Sequence, residues 1–401
     1  MAADAPTPTP SSPPTSPEAL RGEFSRFLAE DRILLTGHSH QAWPDAARDA
    51  QAAVFDDAAV LVDDKWGAIF DKQAGVGRRI LNRMALGEDD AIAFGESTHQ
   101  LVFRLLSCLR WSERPRVVTT AGEFHSLYRQ LRRLEEEGVE VTYVPSWPRE
   151  GLADRLIDAI DSKTALVAAS AVLFEDACIV DGLGAVMDRA VEVGAIPLVD
   201  AYHAFNVASV DWGAARDRLY VTSGGYKYAG FGNGLCWLRL PDDCDLRPVY
   251  TGWFADFESL ADPRDGAPVR YASGGMRFAG ATFDASALYR AEAALDLWDR
   301  HGLDLAALVA RYQRQTARII EQLDAEANPF EVVSPRQSER RGGFVSLRHP
   351  SAGTICQRLR DEGVWVDSRG DLLRLGPAPY ITDDEIDRGV AATLRVAREL
   401  G

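Results

Sequence analysis

The stretch TALVAASAVLFEDACIVDGLGAVMDRAVEVGAIPLVDAYHAF, residues 164–205, decides how the chain folds. It opens on the apolar run TALVAASAV (164–172). It continues through LGAVMDRAVEVG (183–194), whose apolar residues recur at helical spacing before a glycine stop. It then enters AIPLVDAYHAF (195–205), which starts as a second apolar run. Short apolar runs of small and β-branched residues read as buried strands, and the periodic segment between them reads as a helix. The neighbouring sequence repeats the pattern. RVVTT (116–120), EVTYVP (140–145) and LYVTSGG (219–225) read as strands, as does the alternating GLCWLRL (234–240). HSLYRQLRRLEEEG (125–138) and GLADRLIDAID (151–161) read as helices. This alternation predicts an α/β fold, with a mostly parallel sheet covered by helices on both faces.

The chain has 401 residues, enough for two or three domain-sized units. Hydrophobic residues make up 46% and charged residues 26%, an ordinary globular composition. A net charge of −16 argues against a basic face for nucleic-acid phosphates. Five cysteines stand apart with no CxxC spacing, which fits a reducing cytoplasm. No apolar run reaches the length of a membrane span. Residues 1–18, rich in Pro, Thr and Ser, lack a signal-peptide pattern and are expected to be a disordered tail. Residues 19–30 predict a short amphipathic helix, and 19–44 form a segment expected to pack on a smaller domain. Residues 45–285 are assigned to a large domain and 286–401 to the smaller one, with one long or two shorter helices over 284–323.

Ligands of parallel α/β sheets sit beyond the carboxyl ends of the strands. The strand over 195–200 ends at Asp200, and His203 follows. The strand over 219–225 runs into SGGYKYAG (223–230), which sets Lys227 between two tyrosines with glycines on both sides. Glycine permits close approach, and a lysine kept from water loses basicity and becomes a nucleophile for carbonyl groups. After AIAF (91–94) come Gly95, Glu96, Ser97 and Thr98 at a predicted helix start, a cradle for an anion. After RVVTT comes GEFHSLY (122–128), where Phe124 offers a stacking face. A phosphate cup, a flat ring, a carboxylate and an amine are what pyridoxal phosphate requires.

The motifs VDAYHAF (199–205), SGGYKY (223–228), AIAFGESTHQL (91–101), GEFHSLY, Gly252-Trp253 and DSRGDLLRLGPAPY (367–380) resemble those of the class V aminotransferase group of fold type I pyridoxal-phosphate enzymes, and within it the kynureninase-like branch. The resemblance covers most of the chain from about residue 33. It implies a seven-stranded, mostly parallel sheet in the large domain and a smaller C-terminal α+β domain. It implies that Lys227 carries the cofactor aldehyde as an imine and acts as the catalytic base. Ser97, Thr98 and Tyr226 would hold the phosphate, Asp200 the ring nitrogen, and Phe124 the ring face. His203 would lie close to the cofactor. Trp253 and Thr282 match positions that reach the cofactor, and a homodimer with active sites at its interface is implied. Arg374 would take the α-carboxylate of an amino-acid substrate, with His38 and Ser39 on the substrate side.

Two stretches depart from the family pattern. Gly37-His38-Ser39-His40-Gln41 stands where kynureninases carry Asn-Ser-Leu-Gly. Phe254-Ala255-Asp256 stands where they carry Gly-His. The substrate side chain is therefore left open. The expected chemistry is hydrolytic Cβ–Cγ cleavage or a related β-elimination. Transamination is the alternative, and a non-catalytic binding protein that keeps the fold is a further one. His38 and His40 lack a third ligand for a metal, GHSHQ lacks the last glycine of a G-x-S-x-G elbow, and GFGNG (230–234) lacks dinucleotide spacing.

Overall fold

The computed structural model describes residues 14–28, 32–87, 90–263 and 266–400. Its strands in chain order are β1 (Ile33–Leu34), β2 (Ala91–Gly95), β3 (Arg116–Thr120), β4 (Glu140–Val144), β5 (Thr164–Ser170), β6 (Ile196–Asp200), β7 (Tyr220–Gly224) and β8 (Cys236–Leu240). The C-terminal part adds β9 (Glu331–Val332), β10 (Val345–Arg348), β11 (Val364–Trp365), β12 (Asp367–Arg369) and β13 (Leu372–Leu375). The large sheet has seven strands in the order β2-β8-β7-β6-β5-β3-β4. Only β8 runs against its neighbours, so the sheet is mostly parallel, as the alternation predicts.

The unbroken apolar run of β5 follows from burial on both faces. Val167 and Ala169 face the core that holds Val186, Met187 and Trp237. Leu166 and Ala168 face the opposite core, with Leu101, Leu105 and Leu198. Each Val, Leu or Met side chain among these contributes about 1.5–3 kcal/mol when fully buried. The parallel strands bring their carboxyl ends to one edge. Ser170 sits opposite Asp200, and Asp200 opposite Thr222.

The smaller unit is a four-stranded antiparallel sheet, β12-β13-β10-β9. It packs with helices Leu305–Asp324, Ala352–Asp361 and Asp383–Leu400 around a third core. The N-terminal segment joins it: β1 pairs in parallel with β11, and Thr36 bridges to Gly376.

Two local expectations need correction. The helix expected over 19–30 is a four-residue helix, Pro17–Leu20, followed by a 3-10 turn, Arg21–Phe24, because Gly22 is a poor helix former. Residues 29 and 30 of that stretch lie outside the described residues. Of the tail expected over 1–18, residues 1–13 lie outside the described residues; Thr15 is described, and its N–H donates to the carbonyl of His301 at 3.0 Å. The helical stretch 284–323 resolves into Ser286–Arg300 and Leu305–Asp324, parted at Gly302 with φ of +62°.

Candidate active site

Lys227 stands on the turn that leaves β7. At Gly224 a Cβ would lie 2.4 Å from Cys236 Sγ and 2.8 Å from the Tyr202 ring, so a glycine lets Tyr202 pack there. Gly230 closes the turn at φ of +72°, donating to the Lys227 carbonyl at 3.0 Å. The Lys227 Nζ is thereby turned inward. It lies 2.8 Å from Nε2 of His203, 4.5 Å from the Tyr202 ring centroid and 5.0 Å from that of Phe124. Burial pushes its ammonium down to about 7; the Asp200 charge opposes that shift, and Arg374 adds to it. A substantial fraction of the amine is therefore unprotonated and nucleophilic near neutral pH.

Asp200 ends β6, and its Oδ1 accepts the Tyr202 N–H at 2.8 Å. Burial raises its carboxyl pKa, while the Tyr202 N–H and the Lys227 charge lower it. His203 is buried, and that burial, with Lys227 and Arg374 nearby, keeps it neutral. The lysine amine and Nε2 share a hydrogen bond whose direction follows the ring tautomer. Nδ1 has no hydrogen-bond partner.

These groups share a cavity of about 200 Å³ with Phe124, Tyr226 and Thr98. His38, Ser39 and Arg374 line the same cavity from the smaller unit and its N-terminal strap. Ser97 lies on an adjoining cleft that also touches Thr98, Ser126 and Tyr226. It caps helix Thr98–Leu106, its hydroxyl accepting from the Gln100 N–H at 3.3 Å, which leaves its own proton free to donate. Trp253 and Thr282 are not brought to Lys227 within one chain. Trp253 is 41% exposed and stacks on Phe254 at 4.2 Å. Thr282 lines a separate cleft of about 290 Å³ with Gly95, Glu96 and Tyr250.

Arg374 is 3% exposed on β13. Its Nη1 donates to the Phe174 carbonyl at 2.7 Å, its Nη2 donates to the Asp367 carboxylate, and its Nε has no partner. Asp367 faces Arg374 across the β12–β13 pairing. It also lies 3.2 Å from Arg369 Nη1 and 3.6 Å from His38 Nε2. Although burial opposes it, the facing His38, Arg374 and Arg369 hold the Asp367 carboxyl well below the usual range. His38 is fully buried and stacks on Phe344 at 4.6 Å. Burial lowers its pKa to about 4, against the pull of Asp367.

Four groups that sequence reasoning missed are Tyr202, Phe174, Asp367 and Arg369. Tyr202 sits inside the VDAYHAF motif and was legible as a neighbour of Asp200. Asp367 and Arg369 lie in the DSRGDLLRLGPAPY motif, but their approach to Arg374 depends on strand register, which no spacing displays. Phe174 follows β5 in an irregular loop without a signal.

Residues 308–393 match the family described as the kynureninase C-terminal domain. The chain is 29% identical to the kynureninase of Pseudomonas fluorescens over 384 residues, covering 90% of this chain and 88% of that one. It is 28% identical to the kynureninase of Deinococcus radiodurans over 402 residues, covering 95% and 93%. Among solved structures it is similar to the apo cysteine desulfurase of Thermococcus onnurineus NA1, with a TM-score of 0.80 at 17% identity over 96% of this chain and 99% of that one. It is similar to a C-DES mutant with glycine covalently linked to its PLP cofactor, with a TM-score of 0.79 at 19% identity over 94% and 98%. Sheet order and these likenesses show the α/β fold of the fold type I pyridoxal-phosphate enzymes, and over most of its length the chain is similar to kynureninases.

Proposed function

We propose that the chain binds pyridoxal phosphate at Lys227 and cleaves an amino acid on the far side of its β-carbon, by hydrolysis of a Cβ–Cγ bond or by a related β-elimination. The observation that carries this reading is the single cavity shared by Lys227, Asp200 and Arg374. The residues fit the cofactor: a deprotonable, inward-turned amine, a carboxylate, an aromatic face at Phe124, and hydroxyls of Ser97 and Thr98 at a helix N-terminus with that of Tyr226 on the same cleft. When bound, pyridoxal phosphate supplies an electron sink for the substrate's α-carbon. Asp200 would hold the ring nitrogen and keep it charged. Arg374, its guanidinium held by Phe174 and Asp367, orients the α-carboxylate with its remaining N–H groups. Lys227 takes and returns the α-proton, and His203 offers a neutral polar contact beside it.

The products decide the reaction. Purified chain loaded with pyridoxal phosphate and offered a panel of amino acids with γ-carbonyl or β-leaving groups is expected to turn over catalytically. Free alanine with an acid marks hydrolysis, and pyruvate with ammonia marks elimination. Accumulation of pyridoxamine phosphate with an oxo acid would instead establish transamination and overturn the reading.

A homodimer completes this proposal. Trp253, Tyr250, Phe257 and Leu260 form an exposed apolar patch on one chain, close in sequence to the Gly252 that lines the Thr282 cleft. In a dimer that patch is covered, and Trp253 and Thr282 serve the partner's cavity. Light scattering is expected to give twice the chain mass. A monomer with full activity would refute the shared site.

A further inference from the structure

Glu123 precedes Phe124 in the turn between β3 and the helix His125–Glu135, and its side chain is 4% exposed. Its carboxylate accepts three hydrogen bonds. Oε1 takes them from the Thr120 hydroxyl at 2.6 Å and the Ser170 N–H at 3.1 Å, and Oε2 takes one from the Ser170 hydroxyl at 2.6 Å. Thr120 is the last residue of β3, and Ser170 is the last residue of β5. Ser170 is also the register partner of Asp200. The Gly122 N–H donates to the same Thr120 hydroxyl at 3.2 Å, so the whole turn hangs from these groups.

Among the described residues, Glu123 has no ion pair with a Lys, Arg or His side chain. Burial raises its carboxyl to about 7, the Ser170 and Thr120 hydroxyls pull the other way, and the Asp200 charge adds to the rise. A buried carboxylate without a counter-ion is costly to fold around. An apolar side chain there would leave the Ser170 N–H and two hydroxyls without acceptors, so the contacts of the carboxylate, and not its bulk alone, hold the two strand ends.

We propose that Glu123 is a positioning residue for the cofactor ring: its carboxylate ties the end of β3 to the end of β5 and so fixes the Phe124 ring relative to Asp200. The geometry leaves little freedom. Phe124 directly follows the anchored residue, in extended conformation at φ −62° and ψ 146°, and then the helix begins. With Glu123 held at both strand ends, the Phe124 Cα has a set distance from the Asp200 strand. Without it, the turn is free to lift and the ring loses its seat. The inference rests on the cofactor reading of the cavity given above.

The test uses the full chain freed of cofactor and titrated with pyridoxal phosphate, with visible circular dichroism of the bound form as a report on ring seating. Thermal midpoints without cofactor monitor the fold. Glu123→Ala is expected to weaken binding about tenfold, the effect of one lost net contact, and to diminish the dichroic band. Glu123→Gln keeps an oxygen for the Ser170 N–H and a rotatable set of hydroxyl partners, so it is expected to bind within about threefold of the parent. Ser170→Ala, which removes one of the three bonds and keeps the acid, is expected to lie between the two. The proposal is overturned if Glu123→Ala folds and binds as tightly as the parent, or if Glu123→Gln loses as much as Glu123→Ala. Should Glu123→Ala not fold, parent-like affinity and dichroism of Ser170→Ala overturn it instead. A parent chain that binds no pyridoxal phosphate at all would overturn the cofactor reading itself and this inference with it.

Discussion

Lys227→Ala is expected to abolish the visible absorption that pyridoxal phosphate gains on the parent chain, and to lower turnover by about 10²–10⁴-fold. Two roles end together in this variant. On the proposed reading, the amine that would hold the cofactor aldehyde is gone, and so is the group that would carry the substrate's α-proton. The fold should survive. Lys227 is half-buried on a turn, makes no ion pair among the described residues, and leaves an alanine where the backbone turn is set by Gly224 and Gly230. The loss should therefore appear with an unchanged thermal midpoint of the cofactor-free chain. The depressed basicity of the amine adds a detail. Because burial has already brought it to about 7, the parent chain needs no strongly alkaline medium to capture the aldehyde. Unaltered visible absorption and turnover in the variant would remove Lys227 from both roles.

Arg374→Lys is the second large effect, expected to raise KM for the amino acid by about a hundredfold while the affinity for pyridoxal phosphate stays near that of the parent. The guanidinium spans two fixed acceptors, the Phe174 carbonyl and the Asp367 carboxylate, and still has N–H groups left for a ligand. An ammonium on a flexible stem cannot hold both acceptors and a planar carboxylate at once. The variant also leaves Asp367 with a weaker partner, although Arg369 remains 3.2 Å away to limit the damage. Steady-state kinetics beside a cofactor titration measures the two quantities separately. A fall in cofactor affinity with KM unmoved would place Arg374 on the cofactor side and contradict its assignment to the substrate.

What the sequence displayed and what it hid divide along physical lines. The parallel sheet was legible because β5 and β6 are buried on both faces and so read as unbroken apolar runs. Lys227, Asp200, His203 and Phe124 were legible as candidates because a parallel sheet gathers whatever follows its strands at one edge, and each of them ends or follows a strand. Asp367 was hidden because its contact with Arg374 arises from antiparallel register between β12 and β13. Glu123 was hidden because its acceptors' partners come from two strand ends far apart in sequence, at Thr120 and Ser170. The helix expected over 19–30 failed at Gly22, where a periodic pattern outweighed a breaker that the chain obeyed. Trp253 and Thr282 stand apart from the cavity of their own chain, and their expected roles depend on a second copy.

The claim beneath all of this is that a single amine captures the cofactor beside a buried acid. Borohydride reduction of the loaded chain, followed by protease digestion and mass spectrometry, tests it most directly. The account predicts a phosphopyridoxyl mass on the peptide containing Lys227, and its disappearance in Lys227→Ala. A label fixed to a different lysine, or none on a chain that still turns over its substrate, would contradict it.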